Sequence, residues 1–315
     1  MAGSRISCYN WRAMYTQIDQ NKTNTRILMY LFISFFLAVG YVFGFVYTND
    51  QNMAIGFMGI FGIIAIIYAL ISYFAAGKIA LGITGATEIK RTDNPTLYRT
   101  VENLAITAGV PTPDIYLIDD TALNAFATGR DPNHASLAIT KGLLDQLEKP
   151  ELEGVMAHEL SHIKNYDIRL QSLTVALIGL IALVSDIFLR SLYYGGRSRR
   201  RSGGKAGGIL ILIGIALAIL SPIIAKLMHL AISRQREYLA DASGALLTRY
   251  PEGLARALEK IKADKEPLEA ANKATAHMYI ENPLRNEKGM KWINGLFATH
   301  PDIDDRIARL RNMGQ

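Results

Sequence analysis

The sequence predicts a mainly α-helical chain with a small β-sheet, held in a membrane by two N-terminal spans and a later apolar hairpin. Three observations predict it. Residues 27–47 and 53–76 contain no charged side chain, and each run is long enough at 1.5 Å per residue to cross a hydrocarbon core of roughly 30 Å. Two further apolar stretches, 173–185 and 209–225, follow later in the chain. The segments between and after them are polar or amphipathic, with the turn and cap residues of a compact domain.

Taken in order, residues 1–26 form an N-terminal segment, and Ile27–Tyr47 and Met53–Ala76 form a two-helix anchor over 27–76. A cleavable signal peptide is a poor reading of the first run: it starts late, is too long, and a second span follows after a few polar residues. Arg5, Arg12, Lys22 and Arg26 precede the first span, Asp50 alone occupies the turn, and Lys78, Lys90 and Arg91 follow the second. The positive-inside tendency therefore puts the N-terminus and the polar region that follows the second span on the cytoplasmic side. The single cysteine, Cys8, excludes a disulfide framework and suits that reducing side.

Beyond the anchor, Asn94-Pro95 opens a helix with Leu97, Val101, Leu104 and Ala108 on one face and Gly109 at its end. Ile115–Ile118, Ala125–Thr128 and Ser136–Thr140 read as short strands, the last two joined by the turn-rich Gly129–Asn133. This makes a small sheet with open edges, and Ser136–Thr140 is a candidate edge strand. Lys149-Pro150 and Glu151 open the next helix, whose buried side is Leu152, Val155, Met156 and Ile163. Residues 173–230 form the hairpin, with Asp186 near the end of one arm, Ser221-Pro222 as a kink in the other and Lys226 placed to snorkel. Its loop holds six basic residues, Arg190, Arg197, Arg199, Arg200, Arg201 and Lys205, and no acidic one. Six is also the whole formal excess of the chain, 34 basic minus 28 acidic. A full crossing would place that loop outside, against the charge rule, so the hairpin either crosses against it or stays partly embedded. No aromatic or groove-reading residue lies within the dense basic run 197–205, so it reads as a loop near anionic headgroups and no nucleic-acid partner is expected. Pro251-Glu252 begins another helix, and 263–294 is polar and carries no assigned function.

The chemistry lies in His158-Glu159-Leu160-Ser161-His162. Two histidines four apart share one face of a helix and can grip one metal ion, and the glutamate beside the first can act as general base on a metal-bound water. That pair leaves a zinc site one protein ligand short. Glu237 is the expected third ligand, and Asp241, one turn on, can accept the free ring N–H of a ligating histidine. His229 competes as third ligand but ends an apolar run with no carboxylate after it. A transporter would need ionisable residues in the confident spans, which have none. An inactive zinc scaffold explains the ligands but leaves Glu159 without a use.

With Asp167, Tyr238, Ala240 and Asn124-Ala125-Phe126-Ala127-Thr128-Gly129, these motifs resemble the HtpX-type membrane zinc endopeptidases, gluzincin-like enzymes related to the CAAX prenyl proteases. The resemblance runs from Pro111 to Arg306 and closes on Thr299-His300-Pro301 and Arg306-Ile307. It implies a zincin-like protease domain in two parts, 77–172 and 231–315, split by the hairpin. One Zn²⁺ per chain would sit on His158, His162 and Glu237, with Glu159 as base and Asp241 behind a ligand. His300 is the first choice as oxyanion stabiliser, ahead of Arg306 and Tyr238, although His300 also reads as a cap for the helix after Pro301. The resemblance further implies a multi-pass protein of the inner (plasma) membrane, its catalytic domain facing the cytoplasm, that hydrolyses misfolded or damaged membrane proteins. Its sheet would border the cleft, so that an unfolded substrate could add as an edge strand.

Overall fold

The computed structural model describes residues 4–177, 180, 234–264 and 301–313, together with 266, 268, 275 and 278–280. Helices α1 (Ser4–Thr48) and α2 (Gln51–Ile83) form a long hairpin. Asn49, at φ 54, turns the chain, and Asp50 caps α2 by accepting from the Asn52 and Met53 N–H groups at 2.7 and 3.3 Å. Small residues make the contact: Ala54, Gly62, Ala65, Ala69 and Ala76 are the buried side of α2. A Cβ placed on Gly40 or Gly44 of α1 would come within 2.7 Å of α2, so the backbones approach as closely as only glycine permits. The large apolar residues point the other way. Ile55, Ile60, Ile63, Ile64, Ile67 and Leu70 are 49–61% exposed, which is inside-out for a soluble protein and suited to a lipid solvent.

Both helices outrun the apolar spans read from sequence. The first continues back to Ser4, and within 17–26 Asn21 and Thr25 are buried while Asp19, Gln20, Thr23 and Arg26 stay exposed. The division at residue 26 therefore falls inside one continuous helix.

The next helix, α3 (Pro95–Ala108), has the expected ends, with Asn94 Oδ1 accepting from Leu97 N–H at 2.9 Å and Gly109 closing it at φ 72. Strands β1 (Thr87–Glu88), β2 (Asp114–Ile118), β3 (Ala125–Gly129) and β4 (Ala135–Thr140) form one sheet in the order β1-β2-β4-β3. Strands β2 and β4 are parallel, and β3 pairs antiparallel with β4 across a 3₁₀ turn at Pro132–His134. Two residues of β1 are too few to show an alternation, and the sequence reading missed them.

One expectation is corrected here. Ser136–Thr140 is not an edge: it pairs with β2 from Asp114↔Ser136 to Ile118↔Thr140 and with β3 from Ala125↔Ile139 to Gly129↔Ala135. The connection after β2 passes beyond the place of β4, and β3 then turns back as a hairpin, so β4 fills the centre and β3 becomes the edge. The apolar run Leu137-Ala138-Ile139 fits an interior strand, since it is fully buried.

After α4 (Lys141–Gln146) comes α5 (Lys149–Lys164), opened by Glu148 N–H donating to Glu151 Oε2 at 2.8 Å. The sequence suggested one buried side for α5, but every residue from Gly154 to Ile163 is buried. It is the central rod, flanked by α3, β3, α7 (Arg234–Thr248) and α8 (Pro251–Ala263). A helix surrounded on all sides has no solvent face to betray its position by periodicity.

Tyr166, at φ 61, redirects the chain into α6, residues 167–177, which lies on the membrane pair: Leu170, Leu173 and Leu177 pack with Leu28, Phe32, Ala65 and Ala69, and Tyr68 donates to the Ala176 carbonyl at 2.9 Å. The first residues of the expected hairpin are thus helical and follow the anchor. The rest of that hairpin, its basic loop, His229 and His300 lie outside the described residues. The last helix, α9 (Ile303–Met313), joins α5 and α8 in one core through Ile303, Ile307 and Leu310.

Candidate metal centre

His158 and His162 stand one turn apart on α5 with their Nε2 atoms 3.1 Å from each other. Glu237, from α7, brings Oε2 to 3.7 Å from His158 Nε2 and Oε1 to 3.7 Å from His162 Nε2. All three residues are at most 5% exposed. A tetrahedral zinc with bonds of about 2.0–2.1 Å sets its ligand atoms roughly 3.3–3.4 Å apart, so the observed separations bracket what the ion requires. Two imidazoles and one carboxylate are also the donor set of a catalytic zinc, which keeps a fourth position for water or substrate. Gly244 lets α7 come this near: a Cβ there would lie 3.0 Å from the His158 backbone nitrogen.

Each histidine has a carboxylate behind its other nitrogen. Asp167 Oδ2 lies 3.0 Å from His162 Nδ1 in a hydrogen bond. Asp241 Oδ1 lies 3.0 Å from His158 Nδ1, close enough for a hydrogen bond but without the alignment of one. With Nδ1–H turned to the carboxylate, Nε2 keeps its lone pair for a metal. Burial opposes charge on His162, but Asp167, then Glu237 and Glu159, draw it up to about 9. Burial would likewise raise Asp241, yet Arg306, then His158, hold it down to about 2. Arg306 is fully buried and grips both oxygens of Asp241, Nε to Oδ2 at 2.9 Å and Nη2 to Oδ1 at 2.8 Å, while Nη1 donates to the Ile280 carbonyl at 3.0 Å.

Glu159 is 2% exposed, and burial is the main reason its carboxyl is raised above the usual range. The two site histidines pull against that rise, and so does a hydrogen bond from the backbone of Ala127 on the edge strand β3. The base expected from sequence is thus tied to the strand that borders the site.

The structure therefore brings together His158, His162, Glu237, Glu159 and Asp241. It does not bring Tyr238 to them. That phenol donates to Asp305 and its ring lies under Arg309 at 4.1 Å, on the outer side of α7. Arg306 is near, 3.8 Å from Glu237 Oε2, but its guanidinium is committed to Asp241 and a backbone carbonyl and orients a carboxylate, not an oxyanion. Sequence reasoning gave Asp167 no role: it follows the end of α5, and only the left-handed Tyr166 returns it to His162. It also missed Asn21 and Arg236, which meet Asp167 from elements far away in sequence.

A His/His/Glu cluster with a buried glutamate beside it, set behind an edge strand on a membrane hairpin, defines a membrane metallopeptidase of the zincin class. Comparison with known proteins agrees. Residues 91–314 match the sequence profile of peptidase family M48. A "Protease HtpX homolog" of Tropheryma whipplei (strain Twist) is 46% identical over 301 residues, covering 96% of this chain and 99% of the relative. Another, from Dictyoglomus turgidum, is 46% identical over 305 residues, covering 96% and 95%. The crystal structure of S. mikatae Ste24p superposes with a TM-score of 0.47 at 19% identity, over 87% of this chain and 62% of that one. The chain belongs to peptidase family M48, among its HtpX-type members, and is a membrane metalloprotease.

Proposed function

We propose that this protein is a zinc-dependent endopeptidase of the inner membrane that hydrolyses peptide bonds of misfolded or damaged membrane proteins, with its catalytic half in the cytoplasm. The observation that carries the reading is the convergence of His158, His162 and Glu237 within 4.8 Å, with Glu159 adjoining. One zinc per chain would be held by these three residues, and when bound it supplies Lewis acidity to water and to the scissile carbonyl. Glu159 takes the proton of the attacking water and passes it to the departing amine. Its carboxyl, raised above the usual carboxylate range by burial, holds a proton more firmly than an exposed glutamate does, which suits the pick-up from water and the delivery to the amine. Asp167 and Asp241 fix the tautomers of the two histidines.

Unfolded segments are the expected substrates, read by their backbone. They would not add along the whole of β3, where the Ala125 carbonyl accepts from Ile280 N–H at 3.1 Å, the Gly129 N–H donates to Ser172 Oγ at 3.1 Å and the Ala127 backbone bonds Glu159. The cytoplasmic orientation rests on the basic residues flanking the anchor. Labelling of a surface reporter on α3 from the outside only would reverse it.

The decisive test is Glu159→Gln in the full chain. The variant should keep one zinc per chain by elemental analysis and lose casein hydrolysis by ~10²–10⁴-fold, because glutamine keeps the shape but cannot take the proton. Equal cleavage by the variant, or no cleavage by zinc-loaded wild type, would leave a zinc scaffold as the better reading.

A further inference from the structure

Asn21 is a polar side chain on the membrane helix α1, and it is fully buried. Its Nδ2 donates twice, to the Asn165 carbonyl at 2.9 Å and to Asp167 Oδ1 at 2.6 Å. Its Oδ1 accepts from Arg236 Nη1 at 3.1 Å and from Gln17 Nε2 at 3.3 Å. Two acceptors on one side and two donors on the other leave only one sensible orientation of the amide.

The other oxygen of Asp167 is the one that meets His162 Nδ1 at 3.0 Å. Asp167 begins α6 just after the left-handed Tyr166, and no capping bond of its own helix fixes its carboxylate plane. With Oδ1 held by Asn21 and Oδ2 facing His162, rotation about the Cβ–Cγ bond is locked. The Arg236 Nε, at 3.6 Å from Oδ1, is too far to do this by itself.

We propose that Asn21 is a positioning residue for the metal centre: through Asp167 it holds the His162 ring in the orientation and tautomer that present Nε2 to the metal, so the membrane helix completes the site. This rests on the zinc reading above. Outer partners of ligating histidines commonly govern metal affinity by 10–100-fold, and Asn21 acts one step further out through a charged hydrogen bond. The bland reading is that Asn21 merely ties α1 to the Asn165 carbonyl. The two differ in what they do to the metal.

The experiment uses full-length protein in detergent, as wild type, Asn21→Leu and Asn21→Asp. Leucine keeps the bulk without hydrogen bonds. Aspartate keeps the shape and the acceptor for Arg236 but removes both N–H donors, and it serves if leucine fails to fold. Zinc release to a chelator, the visible spectrum of the Co²⁺-loaded form and the melting temperature are measured for each. Both variants should release zinc on the order of ten times faster or more and shift the cobalt bands. A lowered melting temperature with wild-type zinc release and cobalt spectrum would overturn the inference and leave Asn21 a structural tie. Wild type that holds no zinc would overturn the metal reading and this inference with it. Wild type that binds zinc, with a Glu237→Ala control that does not, confines any failure to Asn21.

Discussion

Behind His158 stands Asp241, gripped on both oxygens by Arg306 from α9; behind His162 stands Asp167, met by an amide from the membrane helix and a more distant guanidinium from α7. Each side sets a carboxylate oxygen 3.0 Å from the Nδ1 of a histidine that would hold the metal. The anchors differ. The His158 side is built wholly within the water-facing half, and its carboxylate is matched by a buried countercharge. On the His162 side, the shortest contact to the carboxylate is a neutral amide carried by the anchor. One half of the site therefore depends on the catalytic fold alone, and the other on how that fold sits against the membrane pair.

The largest effect that would test this contrast is on the charged side. Arg306→Met should destabilise the protein by ~3–5 kcal/mol, because it leaves the Asp241 carboxylate buried with only a histidine nearby. Adding Asp241→Asn should restore much of that stability, since neither charge then remains. Thermal or denaturant unfolding of both proteins measures it, and equal damage in single and double variants would show that Arg306 acts through packing and not through charge.

A smaller effect compares the two carboxylates directly. Asp241→Asn and Asp167→Asn should each weaken zinc binding by ~10–100-fold, as losses behind a ligating histidine do. If only one of them does so, the two sides are not equivalent toward the metal.

A third effect separates the sides by pH. Asp241 is depressed to about 2, so its contribution to stability is complete above the ordinary carboxylate value and is lost as pH falls toward 2. His162 is raised to about 9 in the metal-free protein, so its contribution is complete below 6.5 and is lost as pH rises through 9. Zinc must displace that proton. Apparent zinc affinity should therefore climb about ten-fold per pH unit between 7 and 9 and then level off, with a shallower climb in Asp167→Asn. Chelator competition across that range reads it, and a flat wild-type profile would contradict the assignment to His162.

Much of the molecule was legible along the chain. The HExxH pentapeptide declares two candidate ligands because a helix places positions four apart on one face, and Asn94, Gly109 and Pro150 mark helix ends through local backbone chemistry. Glu237 and Asp241 repeat the same four-residue logic. The edge of the sheet was misread because strand order depends on how the chain returns, and β3 and β4 both present short apolar runs that fit either place. Asp167 was visible as part of a motif but not as a partner, since the left-handed turn that brings it back follows no pattern of spacing.

By itself, then, the sequence determined the two N-terminal apolar helices, the HExxH helix and the residues that would hold a metal, all of which rest on contacts within a few residues or on the solvent each run prefers. Only the tertiary structure decided that α5 is surrounded, that β3 is the edge beside Glu159, that Arg306 serves Asp241, and that Asn21 reaches Asp167 across 146 positions. The reason is physical: a buried polar group needs a partner, but the sequence does not say which distant segment will supply it, because that choice belongs to the packing of the whole chain.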